Sequence, residues 1–328
     1  MEKYISKCLE SLIIPSIDKL DIIVVNDGSK DKSSEIAHSY SDKYPDSIRV
    51  IDKENGNYGS CINAALPTIK GKYVKILDAD DTFNTENLEK YIKLLSQYNE
   101  SLIITNFIRK KENGKLINQQ EYSYLIAKDV YRFNEILDFL ANPKLTMHAV
   151  TFRSNVFKNL NYHQTEGISY TDNEWLFLPF SRVDEIRYIN ISIYELLRGR
   201  EGQTMDSKVI SKQLDHFEKI LWNSINIYEN NKNVSNPYVL NYFSKRIRII
   251  AQVIYHNYLF INSEEFNEKL IKTDDKFKKI DIDLYNEILN NMKLSYFNSN
   301  ISKYWISKGR KVNLPLIRIL RNLKKIRN

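Results

Sequence analysis

Residues 74–81, Val-Lys-Ile-Leu-Asp-Ala-Asp-Asp, run from an apolar segment straight into three carboxylates within four positions. A short apolar run of this kind reads as a strand buried on both faces, as in a parallel sheet. Working outward, residues 21–25, 48–51 and 102–107 are similar runs, and 33–44, 60–66 and 85–97 read as helices between them. Residues 2–12, with Ile5, Cys8, Leu9 and Leu12 at helical spacing, add a helix at the start. Strands alternating with helices predict an α/β fold, a mainly parallel sheet with helices on both faces.

The polar stretch 108–124 predicts a hairpin or loop, 148–152 a further strand, and 186–197 one or two more. Beyond about Met205 the pattern changes to long amphipathic helices, first with Leu214, Phe217, Ile220, Leu221 and Ile225, then through residues 239–260. The expected division is a domain at 1–205 and a helical C-terminal region at 206–328. Of the 328 residues 42% are hydrophobic, enough for a real core, and the two cysteines, Cys8 and Cys61, give no disulfide framework or thiolate metal spacing. Neither a charged-then-apolar leader nor an apolar run of membrane-spanning length is seen, which predicts a cytoplasmic protein. The net charge is +7, but nine lysines and arginines and no acid lie in 303–328, so the rest of the chain carries −2. The basicity belongs to the tail, which argues against nucleic acid as a partner of the body.

In open parallel sheets ligands bind beyond the carboxyl ends of the strands. The polar crests here are Asn26-Asp27-Gly28-Ser29, residues 53–63, and Asp78-Ala79-Asp80-Asp81. Taken alone the first is a turn signal, with glycine supplying a positive φ and Asp or Ser capping the next helix; its functional reading is nucleotide recognition by Asp27. In the second, Gly59 and Ser60 would let backbone approach a ligand, and Asn63 falls on the first turns of a helix. In the third, Asp78 and Asp80 can share a divalent cation and a diphosphate in the oxygen environment that Mg²⁺ and Mn²⁺ prefer. Asp81 before Thr82 also suits a helix entry, and His148 and His163 read as ordinary surface or core histidines.

Taken together, DIIVVNDGSKDKS (21–33), ENGNYGSCINAAL (54–66), GKYVKILDADD (71–81), YTDNEW (170–175) and GREGQT (199–204) resemble, in this order and spacing, a family 2 glycosyltransferase. The resemblance covers about residues 1–205 and implies the GT-A fold, a Rossmann-type sheet. It also implies transfer of a sugar from a nucleotide diphosphate donor, with inversion and with Mn²⁺ or Mg²⁺ as cofactor. On the matching positions, Asp27 would contact the nucleotide, Asp78 would lie near the ribose or sugar, and Asp80 would ligate the metal. The family's base comes from an acidic pair opening a helix, whose second position is Asp172, with Glu174 in reserve; alone, Thr171 or Asp172 equally suits a helix cap. Arg200 or Gln203 would touch the diphosphate or acceptor, a plain turn being the other reading. Many members carry Arg where this chain has Ile62.

The family pattern opens with one more strand, ending in Pro-x-Tyr-Asn, that this sequence does not show. The resemblance therefore implies a chain truncated at the N-terminus relative to the family, and a sheet divided between the strands of Val24 and Val74. The expected function is sugar transfer, from a UDP-sugar first among donors, to a glycan or lipid-linked acceptor in polysaccharide or glycolipid synthesis. The alternative is a degenerate, non-catalytic nucleotide-sugar- or membrane-binding relative. In the tail, Leu316, Ile319, Leu320, Leu323 and Ile326 form one helical face and Arg318, Arg321 and Lys325 another. That pattern suits a basic helix lying on an anionic membrane at the inner face of the cell, or one docked on the second domain.

Overall fold

Strand β1 (Ile22–Asp27) pairs in parallel with β2 (Ile48–Lys53), in a register that sets Asp27 across from Lys53. Helix α2 (Ser33–Lys43) provides the crossover that parallel neighbours require. Helix α1 (Ile5–Glu10) precedes this unit and α3 (Asn57–Ala65) follows it. The computed structural model describes residues 1–200, 210, 212–233, 235–293, 300–317, 319 and 320. The chain divides into two compact units, Met1–Gln203 and Thr204–Asn328.

The larger sheet of the first unit has the order β3 (Tyr73–Val74), β8 (Val150–Arg153), β5 (Leu102–Lys110), β9 (Glu185–Leu197), β4 (Thr82–Phe83). Two further strands lie off this path, β6 (Leu116–Gln120) on β5 and β7 (Val130–Arg132) on β9. Among the described residues β1 and β2 form a sheet of their own, so the division expected between the strands of Val24 and Val74 is present. The α/β class stands, but the larger sheet is mixed rather than mainly parallel: among the described residues β5–β9 is its one parallel pair and the other five are antiparallel. For β6 the reason is local, because the turn at residues 111–115 is far too short for a crossover and forces an antiparallel return.

The core centres on β5 and β9, where Leu102, Ile103, Ile104, Phe107, Ile186, Ile193 and Tyr194 are completely buried. Their register shifts around Asn106, where two steps of β5, from Thr105 to Phe107, match five of β9, from Ile189 to Tyr194. The bulge is held by Asn106, whose amide donates to Asn190 Oδ1 (2.9 Å) and whose Oδ1 accepts from Tyr188 Oη (2.9 Å). Bulges re-aim side chains, and this one sits just before Tyr194. Helix α4 (Thr85–Leu95) buries Leu88, Tyr91 and Leu95 at helical spacing, and its N-cap is Asn84, whose Oδ1 accepts from Asn87 N (3.0 Å). The helix-entry reading of Asp81 is thereby excluded.

The second unit is helical over its described residues: Leu214–Asn231, Pro237–Ile261, Glu264–Ile280, Ile282–Asn291 and Ile301–Ser307. Leu214, Phe217, Ile220, Leu221 and Ile225 form the buried stripe of the first of these. The longest begins with an Asn236 cap and Pro237 in its first turn, and ends at Asn262 in the left-handed region (φ 58°). Of the tail, Leu314, Ile317 and Leu320 are buried while Ile319 is exposed, so the apolar face is rotated from the one expected; Leu323, Ile326 and the cations Arg318, Arg321 and Lys325 lie outside the described residues. Asp274 is fully buried, accepts from Tyr255 Oη (2.6 Å) and Tyr285 Oη (2.9 Å), and pairs with Arg310. Arg310→Ala leaves that carboxylate without its cation, and urea unfolding of the full chain should show the second unit destabilised by about 3 kcal/mol, the usual cost of breaking a buried pair.

Candidate active site

The crest of β1 is built around one carboxylate. Asp27 Oδ1 accepts from Lys53 Nζ (2.8 Å), from the Gly56 backbone N–H (2.9 Å) and from Ser60 Oγ (3.3 Å). Burial opposes its ionisation, yet the lysine and the backbone donor outweigh it and hold Asp27 below the usual carboxylate range. Lys53 was not singled out from the sequence, although a parallel register of β1 with β2 is enough to place it there. Gly28 turns the chain at φ 67°, and Asn26 Oδ1 accepts from Ser29 N (3.1 Å), so the turn reading of this tetrapeptide also holds.

Helix α3 is fastened to a distant loop. Asn63 accepts from Gln164 N (2.8 Å) and donates to the Gln164 carbonyl (2.9 Å) and to Glu166 Oε1 (2.8 Å). A Cβ built on Gly59 would lie 2.3 Å from the Thr165 carbonyl oxygen, so the close approach this glycine admits is that of the chain's own loop. Glu174, 4% exposed, fixes the same loop by accepting from Thr165 N and Thr165 Oγ1, both at 2.7 Å. Both of its oxygens are thus engaged in holding residues 163–166, a positioning role.

The strand that opens the third crest is shorter than its apolar run. Only Tyr73 and Val74 pair with β8; beyond them the Lys75 ammonium donates to the carbonyls of His148 (2.8 Å) and Val150 (3.2 Å) in place of ladder bonds. Burial draws the Lys75 pKa down to about 7. Asp81, 1% exposed, then clasps β9 with both oxygens, Oδ2 accepting from Tyr194 Oη (2.6 Å) and Oδ1 from Leu197 N (2.7 Å). Its own backbone N–H donates to the Asp78 carbonyl (2.9 Å), and Asp78 N donates to Tyr194 Oη (3.2 Å). The turn carrying Asp78 and Asp80 is therefore fixed at both ends.

Four carboxylates act on one another around this turn. Burial, then the charges of Asp81, Asp80 and Asp172, push the Asp78 pKa well above the ordinary range, while a hydrogen bond from the Tyr58 hydroxyl opposes the rise. Asp172 opens the short helix α5 (Asp172–Trp175), two residues after Tyr170 in the left-handed region (φ 70°), a costly conformation for so bulky a residue. Thr171 makes no side-chain cap bond to α5, so the cap reading gains nothing from it. Asp80 Oδ2 accepts from Arg200 Nε at 2.6 Å, which brings the two expected site residues together. Gln203 lies outside the described residues.

Concentrated, partly desolvated carboxylate charge of this kind suits a hard divalent cation. Asp78, Asp81 and His148 each offer a ligand atom, all within 4.8 Å of one another. Burial depresses the His148 pKa to about 3, which keeps the ring neutral as ligation requires, and its Nδ1 lies 2.8 Å from Thr146 Oγ1. His148, Tyr58 and Tyr194 were not among the expected site residues; Tyr58 lies within the 53–63 crest beside Gly59, whereas His148 and Tyr194 reach the site only through tertiary packing.

The architecture matches solved enzymes. A structure of residues 1–349 of TarS from Staphylococcus aureus, in complex with UDP-GlcNAc, superposes with a TM-score of 0.63 at 17% identity, over 86% of this chain and 79% of that one. The family model described as glycosyl transferase family 2 matches residues 1–161. The chain belongs to that family. An uncharacterized glycosyltransferase of Rickettsia typhi is 31% identical over 67% of this chain and 66% of its own length. Staphylococcus aureus TarS, a poly(ribitol-phosphate) beta-N-acetylglucosaminyltransferase, is 24% identical over 66% of this chain and 37% of its own. The chain thus spans about two thirds of the first relative and well under half of the second.

Burial lifts the Asp81 pKa to about 7, against about 3.9 for an unfolded aspartate. A raised carboxyl pKa stabilises the fold fully below about pH 4, and that contribution is lost as pH rises through about 7. Without added metal, the melting temperature of Asp81→Asn relative to wild type should therefore shift in the variant's favour between about pH 4 and pH 8. A constant difference across that range would show that Asp81 ionises normally.

Proposed function

We propose that this family 2 glycosyltransferase is an inverting, metal-dependent enzyme that moves a sugar from a UDP-sugar to a hydroxyl of a glycan or lipid-linked acceptor. The observation that carries the reading is the convergence of Asp172 on the Asp78–Asp81 turn, close enough for its charge to act on Asp78. In this reading Asp172 serves the acceptor and the others serve the donor. The likeness to TarS, whose structure holds UDP-GlcNAc, supports a UDP-sugar as donor.

In this reading Asp27, fixed by Lys53, Gly56 and Ser60, presents a rigid ionised carboxylate to the hydrogen-bond donors of the nucleotide. Asp78 faces the ribose or sugar, Arg200 approaches the diphosphate, and Gly59 and Asn63 act through the loop they hold. Asp172 takes the proton of the acceptor hydroxyl as that oxygen forms its bond to the anomeric carbon. The bond from that carbon to the diphosphate breaks on the opposite face, its electron pair leaving with UDP, and the configuration inverts. A divalent cation held by Asp80 and Asp78 would supply charge stabilisation for the departing diphosphate. Polysaccharide or glycolipid synthesis at the inner membrane face fits such a product and the basic tail pattern. No helix among the described residues is long and apolar enough to cross a membrane.

The test separates donor binding from chemistry. Asp172→Asn should bind UDP in the presence of Mn²⁺ as wild type does, while release of UDP from a panel of UDP-sugars with acceptor extract falls by about 10²–10⁴-fold, the range for a lost general base. Release at the wild-type rate would remove Asp172 from this role. UDP binding with no release by wild type would point to the non-catalytic relative.

A further inference from the structure

Arg200 stands where a cation is expected. Its Nε donates to Asp80 Oδ2 at 2.6 Å, and the two side chains are 22% and 13% exposed. Its guanidinium carbon lies 5.8 Å from the centre of the Tyr4 ring, and the Tyr4 hydroxyl donates to Glu112 Oε1 (2.6 Å) in the turn between β5 and β6. Ring and carboxylate together form a seat for the guanidinium. An ion pair so sheltered is screened less than one on the open surface, and an arginine cannot relinquish it by losing a proton.

We propose that Arg200 is a competing counter-ion, which holds Asp80 in the nucleotide-free protein and weakens the binding of a divalent cation there. The inference rests on the reading of Asp80 as a metal ligand. Two cations drawn to one carboxylate repel each other across a few ångströms, so the pair loosens when the metal takes Asp80 and the donor's diphosphate takes the guanidinium. Metal and nucleotide then favour each other beyond their direct contact, and linkage makes the effect reciprocal. Release of UDP returns Arg200 to Asp80 and lowers the affinity for the metal.

The experiment measures Mn²⁺ binding to the full chain by loss of the free-ion electron paramagnetic resonance signal, with and without UDP. Without nucleotide, Arg200→Gln should bind Mn²⁺ about tenfold more tightly than wild type, within the usual range of coupling between sites. UDP should then tighten Mn²⁺ binding less in the variant than in wild type. Arg200→Lys, which keeps a cation but not the planar fork, should fall between the two, and circular dichroism confirms that all three proteins are folded. Unchanged or weaker nucleotide-free Mn²⁺ binding by a folded Arg200→Gln overturns the proposal. If wild type still binds UDP with Mn²⁺ in that case, the donor-site reading survives; absence of Mn²⁺ binding in every protein overturns both.

Discussion

Everything in the site hangs on how Asp81 is held. A buried carboxylate needs partners for its oxygens, and Tyr194 and the Leu197 N–H of β9 supply them. Since Tyr194 also accepts from Asp78 N, one strand grips the turn on both sides and leaves the Asp78 and Asp80 side chains little freedom. The bulge of β9 at Asn106 is what brings Tyr194 to this place, and three residues beyond Leu197 the same chain delivers Arg200 to Asp80. A carboxylate that suits a helix entry in the sequence is thus the anchor that positions its neighbours.

The remaining parts of the site depend on fastenings of the same kind. The β1–β2 register puts Lys53 on Asp27. Asn63, Gly59 and Glu174 all converge on residues 163–166, so the loop leading to α5 is tied to the helix that follows the Asp27 crest. Positive φ at Tyr170, just before Asp172, is a local cost that these fastenings sustain. Preorganised charge of this sort is what a transferase needs, because a site already in position does not have to reorganise as charge develops.

Much of this was legible in the sequence, for physical reasons. Strands are rich in β-branched and other apolar residues, so the runs at Ile22, Ile48, Tyr73 and Leu102 announced themselves although those at Ile22 and Tyr73 are only half-buried, and the carboxylates that follow them, Asp27, Asp78 and Asp80, drew the expectation of a ligand. Division of the sheet between β1 and β3 followed from the family pattern. Strand direction was not legible: whether β8 runs with or against β5 is decided by long-range packing, and two- or three-residue strands such as β4 and β7 carry no periodicity to detect. The Asp80–Arg200 pair spans 120 residues, and the engagement of both Glu174 oxygens depends on a loop whose course no local pattern encodes. In the tail, Leu314, Ile317 and Leu320 are buried while Ile319 of the expected stripe is exposed, a choice made by packing rather than by the local pattern.

The central claim is that the clasped turn and its neighbours form a cation-dependent site for a nucleotide diphosphate. Calorimetric titration of UDP into the wild-type chain, with Mn²⁺ and then with a chelator, tests it most directly. Binding that requires Mn²⁺, and that loses this requirement together with most of its affinity in Asp80→Ala, is the predicted result. UDP binding that is indifferent to Mn²⁺ and to Asp80, or no UDP binding under either condition, would contradict it.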